Sequence, residues 1–141
     1  MTPPTRFQPT AESPATPRAP RIAVISASVR AERVGASVTD WVAAALHGRG
    51  RVDVDRIDLA EISLPDDREL SPGGGPRTVV SSRIARAEAF VFVTPEFNHS
   101  YPASLKRLLD WHTVEWKLKP ATVIAYGITG GHAAIEHLRG V

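Results

Sequence analysis

The chain has no cysteine among its 141 residues. Disulfides, thiolate metal sites and cysteine nucleophiles are therefore excluded together, and any redox chemistry has to come from a bound cofactor. Charge of one sign is also missing. With 17 basic side chains against 15 acidic ones the net charge is +2, so no single-sign field marks a nucleic-acid or membrane partner. No apolar run approaches the ~20 residues that a membrane span needs, and the N-terminal stretch has none long enough for a signal-peptide core. The expectation is a soluble, cytoplasmic protein. At this length there is room for one domain, which buries on the order of two-thirds of its unfolded surface.

Proline is unevenly spread. Six of the 12 prolines fall in residues 1–20, among Thr, Ser, Ala and Gln with little to bury. This stretch is expected to be a disordered, solvated tail rather than a proline-rich partner ligand. Beyond it, short apolar runs alternate with helical patterns. Residues 21–26 (RIAVIS) read as a first central strand, followed by a helix from about Gly35 to Gly48 with Val38, Trp41, Val42, Ala45 and Leu46 at helical spacing. Residues 52–59 alternate apolar with charged, as a strand near a sheet edge does.

Residues 64–76 read as a loop. Gly73-Gly74-Gly75 within it are expected to be a flexible connection rather than a phosphate cradle, because no buried strand precedes them. A helix is expected over 78–87 through Val79, Val80, Ile84 and Ala87, and a strand buried on both faces over 89–94. Then come a long helix from Pro102 to about Trp116 with Ser100 as its N-cap, a strand over 121–126, and a helix from Gly131 to Leu138. Strands alternating with helices predict an α/β fold with a doubly wound parallel sheet between two helical layers, spanning residues 21–141. Val123 and Ile124 would lie on an unpaired edge, which predicts recruitment of another copy into a homodimer or homotetramer.

Three segments carry chemistry. The first strand runs into Ser26-Ala27-Ser28-Val29-Arg30-Ala31-Glu32-Arg33-Val34-Gly35, a loop at the start of a helix; such a loop either holds a phosphate or is simply surface arginine and a capping Ser. The third strand runs into Thr94-Pro95-Glu96-Phe97-Asn98-His99-Ser100-Tyr101-Pro102, presenting polar and aromatic groups at the carboxyl end of a central strand, where open α/β sheets bind ligands. The fourth runs into Tyr126-Gly127-Ile128-Thr129-Gly130-Gly131, whose glycines permit close backbone approach to a flat ring.

In this order the segments resemble the NAD(P)H-dependent FMN reductase family. The second is similar to its Pro-Glu-Tyr-Asn motif, with Phe97 in place of Tyr, and continues as Leu105-Lys106-Arg107-Leu108-Leu109-Asp110-Trp111 where the family reads Leu-Lys-Asn-Ala-Ile-Asp-Trp. The first resembles the family's Gly-Ser-x-Arg-x-x-Arg loop, with Ala27 in place of Gly and its methyl expected to crowd an incoming phosphate. The resemblance implies a flavodoxin-like sheet, although the family's fifth strand and last helix have no counterpart here.

It also implies FMN as cofactor and NADPH or NADH as co-substrate, with hydride passed to a quinone, azo, metal-oxyanion or flavin acceptor. By this resemblance Ser28, Arg30, Arg33, Val34, Gly35 and Ser37 meet the phosphate. Pro95, Glu96, Phe97, Asn98, His99, Tyr126, Gly127 and Gly130 border the flavin. Glu96 has two readings, a flavin neighbour or a solvated carboxylate at a helix end. Hydride transfer needs no side-chain acid, so no catalytic residue is expected and His99 shapes the site or meets substrate. The histidine spacings predict no metal site. Leu108, Trp111 and Trp116 on the long helix are expected in the core or at a subunit interface rather than stacked on a cofactor, and the resemblance extends the family's dimer contact to Leu105, Leu108, Asp110 and Trp111. Two other functions fit the same motifs: an electron carrier or flavin-binding module without a nicotinamide site, and a truncated, cofactor-free assembly protein.

Overall fold

The computed structural model describes residues 18–141, so the proline-rich tail expected over 1–20 lies almost wholly outside the described residues. Four parallel strands, β1 (Arg21–Ser26), β2 (Asp53–Asp58), β3 (Ala89–Pro95) and β4 (Ala121–Tyr126), form one sheet in the order β2-β1-β3-β4. Helices α1 (Gly35–His47), α2 (Ser81–Arg86), α3 (Ala103–Trp111) and α4 (His132–Leu138) fill the crossovers and the end. The architecture is α/β and flavodoxin-like, as expected.

Side chains alternate across the strands and so build two cores. Ala23 and Ile25 of β1, Ile57 of β2, and Phe90 and Phe92 of β3 meet Ile84, Leu105, Leu108 and Leu138 from α2, α3 and α4. On the other face Val24, Val91 and Val93 meet Val42 of α1, with Val38 and Leu46 beside it. β3 is buried along nearly its whole length, and β2 lies at an edge, both as expected from their patterns.

Several expectations are corrected. Trp41 is 68% exposed. Thr39, Val42 and Ala43 point to the sheet, and Trp41, two residues after Thr39, is turned roughly 200° away from it. Ala45 is likewise exposed. Helix α2 spans Ser81–Arg86 only, and Val79 before it faces solvent while Val80 and Ile84 are buried.

Helix α3 begins at Ala103 behind Pro102 and stops at Trp111 rather than near Trp116. It stops for tertiary reasons. His112 is buried, with Nδ1 2.8 Å from the Leu108 carbonyl and Nε2 2.8 Å from Thr78 Oγ1 and 3.1 Å from Ser81 Oγ. The chain then turns so that Trp116 packs edge-on against Phe90, ring centroids 4.7 Å apart, and its Nε1 donates to the Leu109 carbonyl at 3.2 Å.

Leu108 and Trp111 are buried in the protomer's own core, one of the two places expected of them, and Leu105, which the resemblance places at a dimer interface, is buried beside them. Asp110 pairs with Lys106 on the same helix. Nor is the triple glycine a plain connector. A β-carbon at Gly75 would stand 1.8 Å from Trp111 Cε3, and Gly75 N–H donates to the Trp111 carbonyl at 3.3 Å. The loop lies flat on the indole because it has no side chain there.

Candidate functional site

Strand order reverses between β1 and β3, and the loops that leave their carboxyl ends flank the crevice of the sheet. The loop after β1 is tied down at once. Ala27 N–H donates to the Val93 carbonyl at 2.9 Å, and the Ala27 carbonyl accepts from Ser104 Oγ at 2.6 Å. Its methyl is fully buried in the core under α3. The expected crowding is thus corrected, because the side chain at this position points into the protein.

Helix α1 follows with no side-chain cap and no acidic residue in its first turn, so its first N–H groups keep their positive end free of carboxylate. Gly35 opens it, and a β-carbon there would meet the Tyr126 hydroxyl at 2.5 Å, Ser28 Cβ at 3.3 Å and Ser26 Oγ at 3.6 Å. Among the described residues the hydroxyl oxygens of Ser26 and Tyr126 are buried and without a hydrogen-bond partner, and so is Nε of Arg33 in the same loop. Burial pushes the Tyr126 phenol up, against a weaker opposite pull from the charges of Arg30 and Arg33. Ser28 is buried in this cluster, whereas Val34 and Ser37 face solvent.

The two arginines are placed differently. Arg33 reaches β2, donating to Asp58 Oδ2 at 2.7 Å, and this bond holds its guanidinium above the ordinary range against a smaller opposing effect of burial. Asp58 Oδ1 accepts from Ala60 N–H. Arg30 instead lies over the face of Phe97, its Cζ 4.1 Å from the ring centroid, and forms no ion pair among the described residues. The first two motifs are joined by that stack.

After β3 the chain closes a two-residue turn. Phe97 N–H donates to the Ser100 carbonyl at 2.7 Å and Ser100 N–H to the Phe97 carbonyl at 3.0 Å. Asn98 (φ 48°) and His99 (φ 60°) are both left-handed, the conformation expected of Asn98 and the mark of a type I′ turn. Ser100, expected to cap α3, closes this turn and places its Oγ 3.0 Å from His137 Nδ1. The His99 side chain is exposed.

Glu96 lies at a helix end, as one of its two readings has it, but with its side chain buried rather than solvated. Its carboxylate points into the protein, where Thr129 Oγ1 donates to one oxygen and the backbone N–H groups of Ala133 and Ala134 to the other, at 3.0 and 3.4 Å. The Thr129 hydroxyl, aided by those two N–H groups and by His99, holds it below the usual carboxylate range in spite of burial. Pro95 is buried at the end of β3.

The third motif is the turn between β4 and α4. Gly127 lies so close to Glu96 that an added β-carbon would stand 3.0 Å from Glu96 Cβ, and Gly130 and Gly131 are left-handed, at φ 83° and 78°. Ile128 on this turn is fully exposed.

All three motifs therefore meet at one end of the sheet. Sequence reasoning missed Ser26, Asp58, Thr129 and His137, and did not foresee that the Tyr126 hydroxyl lies beside the first loop. Ser26 alone had a local signal, as the last residue of a buried strand before the loop. Two cavities, of about 620 and 410 Å³, lie elsewhere, one between Phe90, Trp116 and Leu138 and one between Ile62, Leu64 and Arg107.

A parallel sheet with a phosphate-type loop after β1 and a ligand turn after β3 is the architecture of flavodoxin-like proteins. Residues 20–141 match the family described as NADPH-dependent FMN reductase, and the chain belongs to that family. It is 35% identical over 130 residues to an NAD(P)H-dependent FMN reductase of Schizosaccharomyces pombe, covering 86% of this chain and 65% of that protein. It is 32% identical over 130 residues to a 2-hydroxy-1,4-benzoquinone reductase of a Burkholderia species, covering 86% and 69%. Among solved structures it is similar to FerB, a flavoenzyme NAD(P)H:(acceptor) oxidoreductase from Paracoccus denitrificans. There the TM-score is 0.69 and the identity 26%, over 86% of this chain and 69% of that one. The chain thus spans about two-thirds of the length of these relatives. Among the described residues no helix is long and apolar enough to cross a membrane.

Proposed function

We propose that the chain binds FMN at the crevice between β1 and β3 and uses it to pass hydride from NADPH or NADH to a small-molecule acceptor. One observation carries this reading. Among the described residues the Ser26 and Tyr126 hydroxyls are buried without partners beside Gly35, at the uncapped start of α1, and Arg33 Nε of the same loop is buried without one. Orphaned buried polar groups cost free energy, and a phosphate monoester offers the acceptor oxygens that would satisfy them. The residues present fit that group. Because Asp58 already balances Arg33, the charge left for the phosphate is that of Arg30, with Ser28 adding a hydroxyl.

Bound FMN would supply the two-electron carrier, and the protein supplies binding and orientation. Stacking on Arg30 holds Phe97 against the first loop. The left-handed Asn98 presents backbone and amide groups that both donate and accept, suited to a ring edge with carbonyls and one N–H. Gly127 and Gly130 keep the opposite turn bare, and the exposed Ile128 offers apolar contact. His99, at the open side, meets substrate and moves no proton. Among acceptors a quinone is favoured, since a related protein is named a benzoquinone reductase. The reading includes a homo-oligomer, because β4 is paired on one side only.

The test is flavin titration of the purified protein, followed by NADPH oxidation with and without a benzoquinone. FMN should bind and quinone should drive turnover. Arg30→Ala should weaken FMN about ten- to a hundredfold, and riboflavin by clearly less, through the lost stack on Phe97 alone. Failure of the wild type to bind FMN refutes the reading.

A further inference from the structure

We propose that Glu96 is a positioning residue, a buried latch that fixes the turn after β3 against the turn before α4 and so sets the spacing of the two walls that receive the flavin ring. The proposal rests on the FMN reading and deepens it. A glutamate on a surface turn ordinarily points to water. The side chain of this one is 5% exposed, and both oxygens are occupied by groups from the far side of the site.

The segment it holds has little else to hold it. Gly127 to Gly131 contains three glycines, two of them left-handed, and closes on itself through one backbone bond, Gly130 N–H to the Gly127 carbonyl at 3.0 Å. Helix α4 has seven residues and starts behind Gly131, which has no side chain to cap it. A helix this short is not stable alone, and its first N–H groups need an acceptor.

Glu96 supplies that acceptor from another part of the chain, with negative charge where the helix end favours it. Its own N–H donates to the Tyr126 carbonyl at 2.7 Å, so main chain and side chain grip the turn on either side of Gly127. The other edge of the same turn carries Ile128 and Gly130. A change in the latch therefore shifts the wall itself, while the Ser26–Gly35–Tyr126 cluster, whose side chains make no bond to the Glu96 carboxylate, keeps its place.

The experiment compares wild type with Glu96→Ala and Glu96→Gln by flavin fluorescence titration and by amide hydrogen exchange over residues 127–134. Glu96→Ala should weaken FMN and riboflavin in parallel, by about tenfold, and speed exchange at Ala133 and Ala134. Glu96→Gln retains one carbonyl acceptor and should return both affinities to within about threefold of wild type. If Glu96→Ala does not fold, Thr129→Val removes one donor of the latch and should weaken both flavins about threefold.

Unchanged flavin binding in Glu96→Ala, or in Thr129→Val where that variant is used, overturns the latch. So does loss of FMN binding alone, which would put the effect at the phosphate. Wild type that binds neither flavin overturns the latch and the FMN reading together, whereas wild-type binding with an indifferent Glu96 overturns the latch only.

Discussion

Substituting alanine at Gly35 tests the phosphate cradle through its packing. In an unconstrained helix the change would be favourable by up to about 1 kcal/mol. Here the new methyl would stand 2.5 Å from the Tyr126 hydroxyl oxygen, about 1 Å inside the ~3.5 Å optimum for non-bonded atoms. Overpacking of that kind costs about 1 to 3 kcal/mol, so the net change should be a destabilisation of about 1 kcal/mol. Tyr126→Phe removes the oxygen, and with it a buried hydroxyl that has no partner, so alone it should leave the flavin-free protein as stable or more stable. In the double variant the clash is gone and the helical preference of alanine remains. Urea unfolding of the four proteins should give a coupling of about 1 to 3 kcal/mol, the double variant being more stable than the sum predicts. FMN affinity should fall in all three variants, since each fills the cradle or deletes a donor. Additive stabilities, or an FMN affinity indifferent to Tyr126→Phe, would refute the arrangement around Gly35.

Gly75→Ala should be the more damaging glycine substitution, since the Trp111 ring 1.8 Å from the new methyl is itself buried and cannot swing away. A loss of about 3 kcal/mol, seen as a fall in melting temperature of roughly 10 °C, is expected. A melting point within 2 °C of wild type, measured to about that precision, would mean that the loop can lift from the indole. Acid should act through Glu96. Its folded-state pKa lies below the ordinary glutamate value, so its contribution is complete above that value and is lost as pH falls through the folded one. Thermal melts of wild type and Glu96→Gln should converge on acidification, and curves that stay parallel would show that Glu96 titrates outside this window.

The fold was legible because its signals are local. β1 and β3 are continuous apolar runs, β2 alternates, and Gly35, Gly48 and Gly131 mark helix boundaries, so the parallel sheet follows from pattern and connection rules, and its strand order from the family resemblance. The failures share a cause. Spacing alone turns Trp41 inward, but a helix lying on one face of a sheet buries a narrow stripe, here Thr39, Val42 and Ala43. Helix α3 was drawn too long because nothing in residues 112–116 breaks a helix. It ends because His112 is bound to Thr78 and Ser81, some thirty positions earlier in the chain.

The site divides in the same way. Which turns face the crevice could be read from the motifs, since each turn carries its own glycines and polar groups. Which groups are free to meet a ligand could not, because that depends on bonds between turns. Arg30 and Arg33 looked equivalent on the loop, and only the approach of β2 shows that Arg33 is balanced by Asp58 while Arg30 is stacked and otherwise uncommitted. Glu96 looked exposed until α4 came back over it. Ala27 looked obstructive because a loop residue was assumed to face the ligand, yet its backbone bonds to Val93 and Ser104 turn the methyl into the core. In this position alanine supplies packing under α3 that glycine would lack, at no cost to the cradle. A substitution in a binding motif therefore weakens binding only where the folded backbone aims that side chain at the ligand.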